Sequence, residues 1–293
     1  MAGLKMKAAV VAAIAVMVYF GYFRRKPQYN PAEVAGLRVV VTGSSTGIGE
    51  QVAYKFASMG AKVLVTARTE SKLQNVVKKC KELGSPESYY VAVSMGSYKN
   101  ASKVIDMAME KFGGIDVLIL NHVDSGSILG GYQHNVAKIE RALMTNTWTH
   151  AHMATVALEN LIKNKGRIVA VSSAAGMVGV PLQVEYSTSK FALNGFFTSL
   201  RQELRFNKTT EVSISLCNLG FIDTDMATNL QKYIHSDLYS KIECAAEIVR
   251  GAMMRDRDIF FPDNIVQLSI IKDIIPDYVE KLIREEYHAP GSL

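Results

Sequence analysis

A chain of 293 residues, of which 48% are apolar and 20% are charged, has the composition of a globular protein and not of a disordered one. The formal net charge of +6 comes from the N-terminus, because five basic residues precede Glu33, the first acidic one. The remaining 28 basic residues face 27 acidic ones. The composition therefore gives no support for a nucleic-acid-binding protein.

The cysteine and histidine residues show no metal-site pattern. Cys80, Cys217 and Cys244 are widely spaced and form no C-x-x-C motif, which also argues against a disulfide framework. His150 and His152 are two residues apart on a predicted helix, where their side chains point in different directions. We therefore predict no metal site.

Residues 8–23 contain no charged side chain and have basic residues on both sides. The run is slightly short for a membrane-spanning helix and slightly long for the core of a signal peptide. No small-x-small cleavage pattern follows it, which favours an uncleaved membrane anchor over a removed signal that would yield a secreted protein. Residues 1–30 are therefore interpreted as an anchor or signal segment with its linker.

The orientation in a membrane does not follow from the flanking charges, because they are positive on both sides of the apolar run. Asn100 and Asn207 each begin an N-x-[ST] sequon, which permits glycosylation in a lumen. We therefore expect a membrane glycoprotein whose folded domain lies in the lumen of the endoplasmic reticulum.

The first predicted strand, residues 38–41, is followed by a glycine-rich turn and a predicted helix at residues 50–59. Gly43, Gly47 and Gly49 would let the backbone approach a pyrophosphate, and the start of the helix offers free N–H groups. The position of this turn between a strand and a helix predicts a dinucleotide-binding site.

The second predicted strand, residues 62–66, ends near Arg68. Proteins that bind NAD place an acidic residue at this point to hold the ribose hydroxyls. An arginine can instead pair with the 2′-phosphate of NADP. The sequence therefore favours NADP(H) over NAD(H), and the alternative is that Arg68 is an ordinary surface residue.

Predicted strands and helices alternate along the rest of the chain. The strands are residues 89–93, 116–120, 167–172, 212–217 and 259–261, and the helices are residues 101–112, 138–162 and 184–204. This alternation predicts a doubly wound α/β fold, with a parallel sheet between two helical layers, in one domain at residues 31–262. Ligands of such sheets bind at the carboxyl ends of the strands, where Asn121, Ser173 and Leu219 are expected.

Tyr186 and Lys190 are four residues apart on the last long predicted helix, so their side chains share one face. A neighbouring ammonium group lowers the pKa of a phenol towards the range in which it exchanges protons at neutral pH. Ser173 lies 13 residues upstream and can hold a substrate oxygen beside the phenol. The pattern predicts interconversion of an alcohol and a carbonyl; the alternative is a solvated pair on an amphipathic helix.

Residues 263–293 form a predicted amphipathic tail. Apolar residues recur at steps of three and four from Ile265 to Ile283, which predicts two short helices broken at Pro276. The apolar stripe can pack on its own domain, pair with a second subunit, or rest on a membrane.

Taken in order, these motifs resemble the short-chain dehydrogenase/reductase family over residues 37–261. The motifs are Thr42-Gly43-x-x-x-Gly47-Ile48-Gly49, Asn121, Asn146, Ser173 and Tyr186-x-x-x-Lys190. Within the family the chain is most similar to the 11β-hydroxysteroid dehydrogenase type 1 group and its 1-like members. This similarity lies in the apolar N-terminal run and in residues 120–122, 189–193 and 219–224.

The resemblance implies a role for each motif residue. Tyr186 would be the acid and base, and Lys190 would lower its pKa and hold the nicotinamide ribose. Ser173 would orient the substrate oxygen, and Asn146 would hold a water in the proton relay. The residues implied in NADP(H) binding are Gly43, Ser44, Ser45, Thr46, Gly47, Ile48, Gly49, Arg68, Thr69, Ser94, Met95, Asn121, His122, Val123, Tyr186, Lys190, Leu219, Gly220, Phe221, Ile222, Asp223 and Thr224.

The chain departs from the family pattern at three places. His122 replaces the second asparagine of the usual Asn-Asn-Ala-Gly, as in the steroid group. Thr46 stands where the steroid enzyme often has a lysine, so Arg68 would hold the 2′-phosphate with less help. Val180 stands where that enzyme has an aromatic residue in its steroid pocket. Ser173, Val180 and Tyr186 are the substrate residues that the resemblance implies.

The resemblance implies a homodimeric, NADP(H)-dependent enzyme that interconverts a hydroxyl and a keto group on an apolar substrate, most of all a steroid of the 11β-hydroxysteroid type. The alternatives are a reductase of a retinoid or another lipid, and a member of the family that binds a ligand without turnover.

Overall fold

The computed structural model describes residues 26–287, except 128–131, 133, 210, 229 and 230. The predicted anchor at residues 8–23 lies outside this range. Within the described residues, no helix has the length and apolar character needed to cross a membrane.

Seven parallel strands form one sheet. They are β1 (Arg38–Thr42), β2 (Lys62–Ala67), β3 (Ser88–Ala92), β4 (Val117–Leu120), β5 (Arg167–Val171), β6 (Ser213–Leu219) and β7 (Asp258–Phe261). Their order across the sheet is β3-β2-β1-β4-β5-β6-β7. The order reverses between β1 and β4, which confirms the predicted doubly wound, Rossmann-type α/β fold.

Helices cover both faces of the sheet. They are α1 (Gly47–Ala57), α2 (Glu70–Glu82), α3 (Tyr98–Phe112), α4 (Val136–Leu143), α5 (Thr149–Lys163), α6 (Val184–Phe206), α7 (Asp225–Thr228), α8 (Lys241–Met253), α9 (Ile265–Ile271) and α10 (Pro276–Glu285). A π-helical turn, Met144–Trp148, joins α4 to α5.

The two cores follow from the alternation of side chains along each strand. Val39 and Val41 of β1 pack with α1, α2 and α8 on one face of the sheet. Val40 points to the other face and packs with α3, α5 and α6. Because β1 is covered on both faces, its sequence is a continuous apolar run without polar alternation.

Several predicted boundaries differ from the structure. Helix α1 begins at Gly47, three residues before the predicted start, since the last glycines of the turn already belong to its first turn. The π-helical turn interrupts the helix predicted at residues 138–162. Strand β6 continues two residues past its predicted end, to Leu219. Helices α2 and α8 are missing from the predicted elements, although their buried residues recur with a helical period.

The C-terminal tail contains the two predicted helices, and Pro276 is the first residue of α10. Proline is well suited to that position because its fixed φ matches a helix and its missing N–H would have no partner there. Val279 is buried, whereas Ile274, Tyr278 and Leu282 are 52%, 56% and 45% exposed. Much of the apolar stripe of the tail therefore faces outward.

Candidate active site

Two neighbouring cavities lie at the carboxyl ends of the strands. The larger has a volume of about 740 Å³, within the usual range for small-molecule sites. The smaller, about 130 Å³, is lined by Tyr186. Ile48, Asn121, Val123 and Thr224 border both cavities, so a ligand of the larger cavity lies beside a ligand of the smaller one.

Most of the residues predicted to contact a dinucleotide border the larger cavity. They are Gly43, Ser45, Thr46, Gly47, Ile48, Arg68, Thr69, Ser94, Met95, Asn121, His122, Val123 and Thr224. Leu219, Gly220, Phe221 and Ile222 border the smaller cavity, together with Ser173, Tyr186 and Lys190. The folded chain thus brings together residues from seven separate segments.

Three residues predicted to contact the dinucleotide do not border either cavity. Ser44 is fully buried, and its Oγ donates to the Val41 carbonyl and accepts from the Thr66 N–H. The Ser44 side chain thus connects β1 to β2 through hydrogen bonds and points away from the cavity. Gly49 is buried behind the turn, and Asp223 is exposed. The side chains of Ser44 and Asp223 thus do not border this space, and their implied part in cofactor binding stays a prediction.

The glycine-rich turn fits a dinucleotide because it leaves no room for side chains. Gly43 has φ of +63°, and a Cβ atom there would lie 2.8 Å from the His122 Cα. At Gly49 a Cβ would lie 2.4 Å from the Gly43 carbonyl oxygen. The turn and the start of α1 are therefore held close to β4, with the first N–H groups of the helix at the cavity wall.

Replacement of Gly49 by alanine is expected to destabilise the fold by about 1–3 kcal/mol, because the new methyl group must displace backbone. The dissociation constant of the nicotinamide cofactor should rise as the turn shifts. Thermal unfolding and quenching of protein fluorescence by the cofactor measure the two effects. Gly195→Ala, on an exposed stretch of α6 with open space around the new Cβ, is the matched control and should be neutral or stabilising. Equal behaviour of the two variants would contradict the tight fit at Gly49.

Arg68 follows the last residue of β2 and is exposed at the border of the larger cavity. Its guanidinium makes no hydrogen bond or ion pair with any other residue that the structure describes. A cation without a partner is thus available to an anionic group of a ligand in this cavity.

Tyr186 and Lys190 lie on one face of α6, as their spacing predicts. The Lys190 Nζ is 5.6 Å from the centre of the Tyr186 ring. The same Nζ donates a 2.7 Å hydrogen bond to the Val171 carbonyl at the end of β5. Ser173 follows β5 two residues later, and its Oγ donates to the Leu219 carbonyl at 3.4 Å. Its hydroxyl lies close enough to the Tyr186 phenol to favour the phenolate. The three predicted catalytic side chains therefore meet at one wall of the smaller cavity.

Burial dominates the acid–base properties of this pair. It raises the pKa of Tyr186 to about 12, and the neighbouring Ser173 hydroxyl opposes this rise. Burial also lowers the pKa of Lys190 to about 7, because an ammonium group is poorly solvated there. Desolvation thus acts against the charged forms of both groups. The implied role of Lys190 in lowering the phenol pKa stays a prediction.

Asn146 lies in the π-helical turn and is fully buried. Its Oδ1 accepts a 2.6 Å hydrogen bond from the Asp124 N–H, and its Nδ2 donates to the Ser189 Oγ at 2.9 Å. The side chain does not border either cavity, so it connects the segment after β4 to α6. Its implied part in a proton relay stays a prediction.

Val180 does not lie with the other predicted substrate residues. It borders a separate groove of about 620 Å³ between the start of α6 and α10. Val180 does not border the smaller cavity, and its implied part in the substrate pocket stays a prediction. The loop between β5 and α6 turns this residue towards the tail, and no sequence pattern indicates such a turn.

Some residues at the cavities were missed by the sequence prediction. Arg141 and Asp124 border the larger cavity and form an ion pair of 3.0 Å between Nε and Oδ2. Gln183 is buried at the smaller cavity and donates to the Tyr287 hydroxyl at 3.4 Å. Asp124 follows the carboxyl end of β4, which is a usable signal. Arg141 lies on α4 and Tyr287 follows the end of α10, so both come from distant parts of the chain and give no local signal.

Comparison with known proteins places the chain in a family. A model of the short chain dehydrogenase family matches residues 38–234. The chain belongs to that family. It is 35% identical over 289 residues to hydroxysteroid 11-beta-dehydrogenase 1-like protein A of Xenopus laevis, covering 98% of each chain. It is 40% identical over 256 residues to the Gallus gallus protein named hydroxysteroid 11-beta-dehydrogenase 1-like protein, covering 86% of this chain and 87% of that one.

Solved structures agree with the fold. A short chain dehydrogenase/reductase of Burkholderia phymatum in complex with NAD superposes with a TM-score of 0.75 at 22% identity, covering 89% of this chain and 99% of the other. An alcohol dehydrogenase of Thermococcus sibiricus with 5-hydroxy-NADP gives 0.66 at 19% identity, covering 76% and 94%. As a member of the short-chain dehydrogenase family, the chain is an oxidoreductase that acts on CH–OH groups.

Proposed function

We propose that the protein is an NADP(H)-dependent dehydrogenase that interconverts a hydroxyl and a keto group on a steroid of the 11β-hydroxysteroid type. The observation that carries the proposal is the meeting of Ser173, Tyr186 and Lys190 in a cavity that adjoins the dinucleotide cavity. The names of the relatives support the steroid as substrate.

The chain's own residues account for the handling of the substrate oxygen. Ser173 and Tyr186 would hold that oxygen, and the Tyr186 hydroxyl would give it a proton during reduction and take the proton back during oxidation. The bound nicotinamide supplies or accepts the hydride. Lys190 is the nearby cation that can stabilise the phenolate, which burial alone disfavours.

The preference for NADP(H) rests on Arg68. A 2′-phosphate in the larger cavity would find an exposed guanidinium that no other described residue engages, at the end of β2 where the ribose is held in such folds. Thr46, at the same cavity, can add a hydroxyl but no charge.

The choice of a steroid rests on the apolar walls of the smaller cavity. Val123, Leu219, Phe221 and Ile222 line it, and with about 130 Å³ it holds the reacting end of a ligand. A panel of 11-keto and 11β-hydroxy steroids and of retinoids, each offered with both cofactors, tests the substrate class. Turnover of the steroids with NADP(H) is expected. Turnover of retinoids without turnover of steroids would contradict the proposal and favour the alternative, a retinoid or other lipid keto-reductase.

We further propose that the protein is bound to the endoplasmic reticulum membrane through residues 8–23, with the catalytic domain in the lumen. The two sequons differ in their surroundings. Asn207 is exposed in the turn that ends α6, where its Nδ2 donates to the Glu203 carboxylate at 3.2 Å. Asn100 is half-buried inside α3, and its Nδ2 donates to the Ser94 carbonyl at 2.9 Å. Asn207 is therefore the better glycan acceptor.

Endoglycosidase treatment of the protein made in cells should increase its gel mobility, and Asn207→Gln should remove most of that change. Asn100→Gln is the matched control and should remove less, because Asn100 is half-buried inside α3. If endoglycosidase treatment leaves the gel mobility of the protein unchanged, a cytosolic domain would be favoured. Trimmed protein in the medium would favour a cleaved signal and secretion.

We propose a homodimer in which the tail takes part. Ile271, Ile274, Ile275, Tyr278 and Leu282 are each more than a third exposed on α9, α10 and the segment between them. The tail also reaches the substrate side, since the Tyr287 ring packs edge-to-face on Phe221 with centres 6.5 Å apart.

Truncation after Phe261 is expected to weaken both subunit association and steroid affinity. The cofactor should still bind, because no tail residue that the structure describes borders the dinucleotide cavity. Analytical ultracentrifugation and cofactor titration measure these effects. A double charge substitution, Ile274→Glu with Tyr278→Glu, leaves the chain length intact and should weaken association alone. An unchanged dimer with unchanged steroid affinity after truncation would mean that the tail is local packing.

A further inference from the structure

The mechanism proposed above makes no use of a buried histidine beside the dinucleotide cavity. His122 lies two residues after β4, and its side chain is buried. Its ring stacks on that of His150, with centres 3.8 Å apart. Burial, together with the nearby Lys190, lowers the pKa of His122 to about 3, and the pKa of His150 is lowered as well. Both rings are therefore neutral at neutral pH, which allows them to stack without repulsion.

The hydrogen bonds of Thr42 determine which nitrogen of His122 carries the proton. The Thr42 Oγ1 accepts from the Asn121 N–H at 2.8 Å and from the His122 N–H at 3.2 Å. A threonine hydroxyl has two lone pairs and one hydrogen, and the nearest acceptor for that hydrogen is the His122 Nδ1, which lies 2.8 Å away. A longer contact of 3.2 Å to the Ile119 carbonyl competes for the same hydrogen. The Nδ1 atom is thus an acceptor without a proton.

The other nitrogen completes the chain of hydrogen bonds. Since Nδ1 is the acceptor of a neutral ring, Nε2 carries the hydrogen and donates to the Thr149 Oγ1 at 2.9 Å. The Thr149 hydroxyl in turn donates to the Thr145 carbonyl at 2.9 Å. The hydrogen bonds of this series therefore all run in one direction, from the Thr42 hydroxyl to His122, from His122 to Thr149, and from Thr149 to the Thr145 carbonyl.

The two ends of this series belong to the two parts of the site. Thr42 is the last residue of β1, and its carbonyl and that of Gly43 both accept from the Asn121 Nδ2, at 3.2 and 3.1 Å. Thr149 is the first residue of α5, directly after the π-helical turn that contains Asn146. The imidazole therefore spans the space between the glycine-rich turn and the π-helical turn.

We propose that His122 is a positioning residue that fixes the π-helical turn with Asn146 against the glycine-rich turn that binds the cofactor. In this role the ring acts through Thr42 on one side and through Thr149 on the other. The catalytic part of this proposal rests on the proposed function; the structural part does not.

Two amide substitutions of His122 test its hydrogen bond to Thr42 and its hydrogen bond to Thr149 separately. The side-chain amide of asparagine lies near the place of Nδ1, and that of glutamine near the place of Nε2. His122→Asn keeps the bond to Thr42 and loses the one to Thr149, so kcat should fall by up to ~100-fold through misplacement of the π-helical turn. The cofactor dissociation constant should change by no more than about twofold, because the hydrogen bond between residue 122 and Thr42 is kept.

His122→Gln should show the opposite pattern. Its amide keeps the bond to Thr149 and loses the one to Thr42, so the cofactor dissociation constant should rise by about fivefold, as expected for one lost hydrogen bond. Turnover at saturating cofactor should fall less than in His122→Asn. Thr149→Val removes the same bond as His122→Asn from the other side, and the two changes combined should be no worse than either alone.

The experiment measures cofactor dissociation constants by fluorescence titration, thermal unfolding, and kcat and KM with the best substrate of the steroid and retinoid panel. His152→Asn is the matched control, because His152 also hydrogen bonds a hydroxyl, that of Ser102 at 2.8 Å, but lies outside the site. It should change neither kcat nor the dissociation constant. If a His122 variant does not fold, Thr149→Val alone should still lower kcat without weakening cofactor binding.

The proposal is overturned if His122→Asn and His122→Gln change kcat and cofactor affinity in parallel, or if they lower only the unfolding temperature. Either result would mean that the His122 ring only fills space in the core and does not position the π-helical turn. A failure of the proposed steroid function is a different result, because the contrast between the two variants in cofactor affinity needs no substrate.

Discussion

Replacement of Tyr186 by phenylalanine is expected to lower turnover by ~10²–10⁴-fold, the usual contribution of a general acid or base. The change removes the phenol oxygen and leaves the ring, which packs beside Val123, Phe221 and Tyr287. The unfolding temperature and the cofactor dissociation constant should therefore stay close to those of the unaltered protein. Steady-state kinetics with the best substrate of the panel measures the loss.

A matched control for this prediction is Tyr90→Phe. Tyr90 lies on β3 away from both cavities and donates its hydroxyl hydrogen to Glu70. This variant should keep full turnover. Comparable activity in Tyr186→Phe and Tyr90→Phe would remove the phenol from the mechanism and leave Ser173 or a water as the proton donor.

Reversal of the charge at Arg68 is expected to reverse the cofactor preference. Arg68→Asp takes away the guanidinium available to a 2′-phosphate and places a carboxylate where it repels that phosphate and can accept from ribose hydroxyls. The kcat/KM for NADP(H) should fall by about 10–100-fold, the equivalent of one lost charge-assisted contact. The value for NAD(H) should rise.

The control for this substitution is Arg205→Asp, which makes the same change of net charge on an exposed residue of α6. It should leave the ratio of the two cofactors unaltered. A ratio that also stays constant in Arg68→Asp would mean that another residue of the larger cavity selects the cofactor, with Arg141 the next candidate.

The sequence predicts the fold well because its signals are local. A strand, a glycine-rich turn and a helix start stand in immediate succession at residues 38–59, and strand and helix patterns then alternate. The spacing of Tyr186 and Lys190 likewise places both on one helical face before any contact is known. Ser173 could be placed beside them because the carboxyl ends of neighbouring parallel strands share one edge.

The features that escaped prediction depend on burial or on distant parts of the chain. The direction of the Tyr186 pKa shift follows from desolvation, and the sequence does not say how deeply α6 lies. The π-helical turn is a local change of hydrogen-bond register that residue types do not encode. Val180 faces the tail helix α10 instead of Tyr186, because the loop before α6 sets its direction.

The central claim is tested most directly by reduction of an 11-keto steroid with NADPH by the full chain in membranes, with chromatographic detection of the 11β-hydroxy product. The wild-type chain should form product with NADPH and form it more slowly with NADH. The Tyr186→Phe variant should form only a trace of product. Equal product from Tyr186→Phe, or no turnover of any steroid while retinoid or other carbonyl substrates are reduced, would contradict the account.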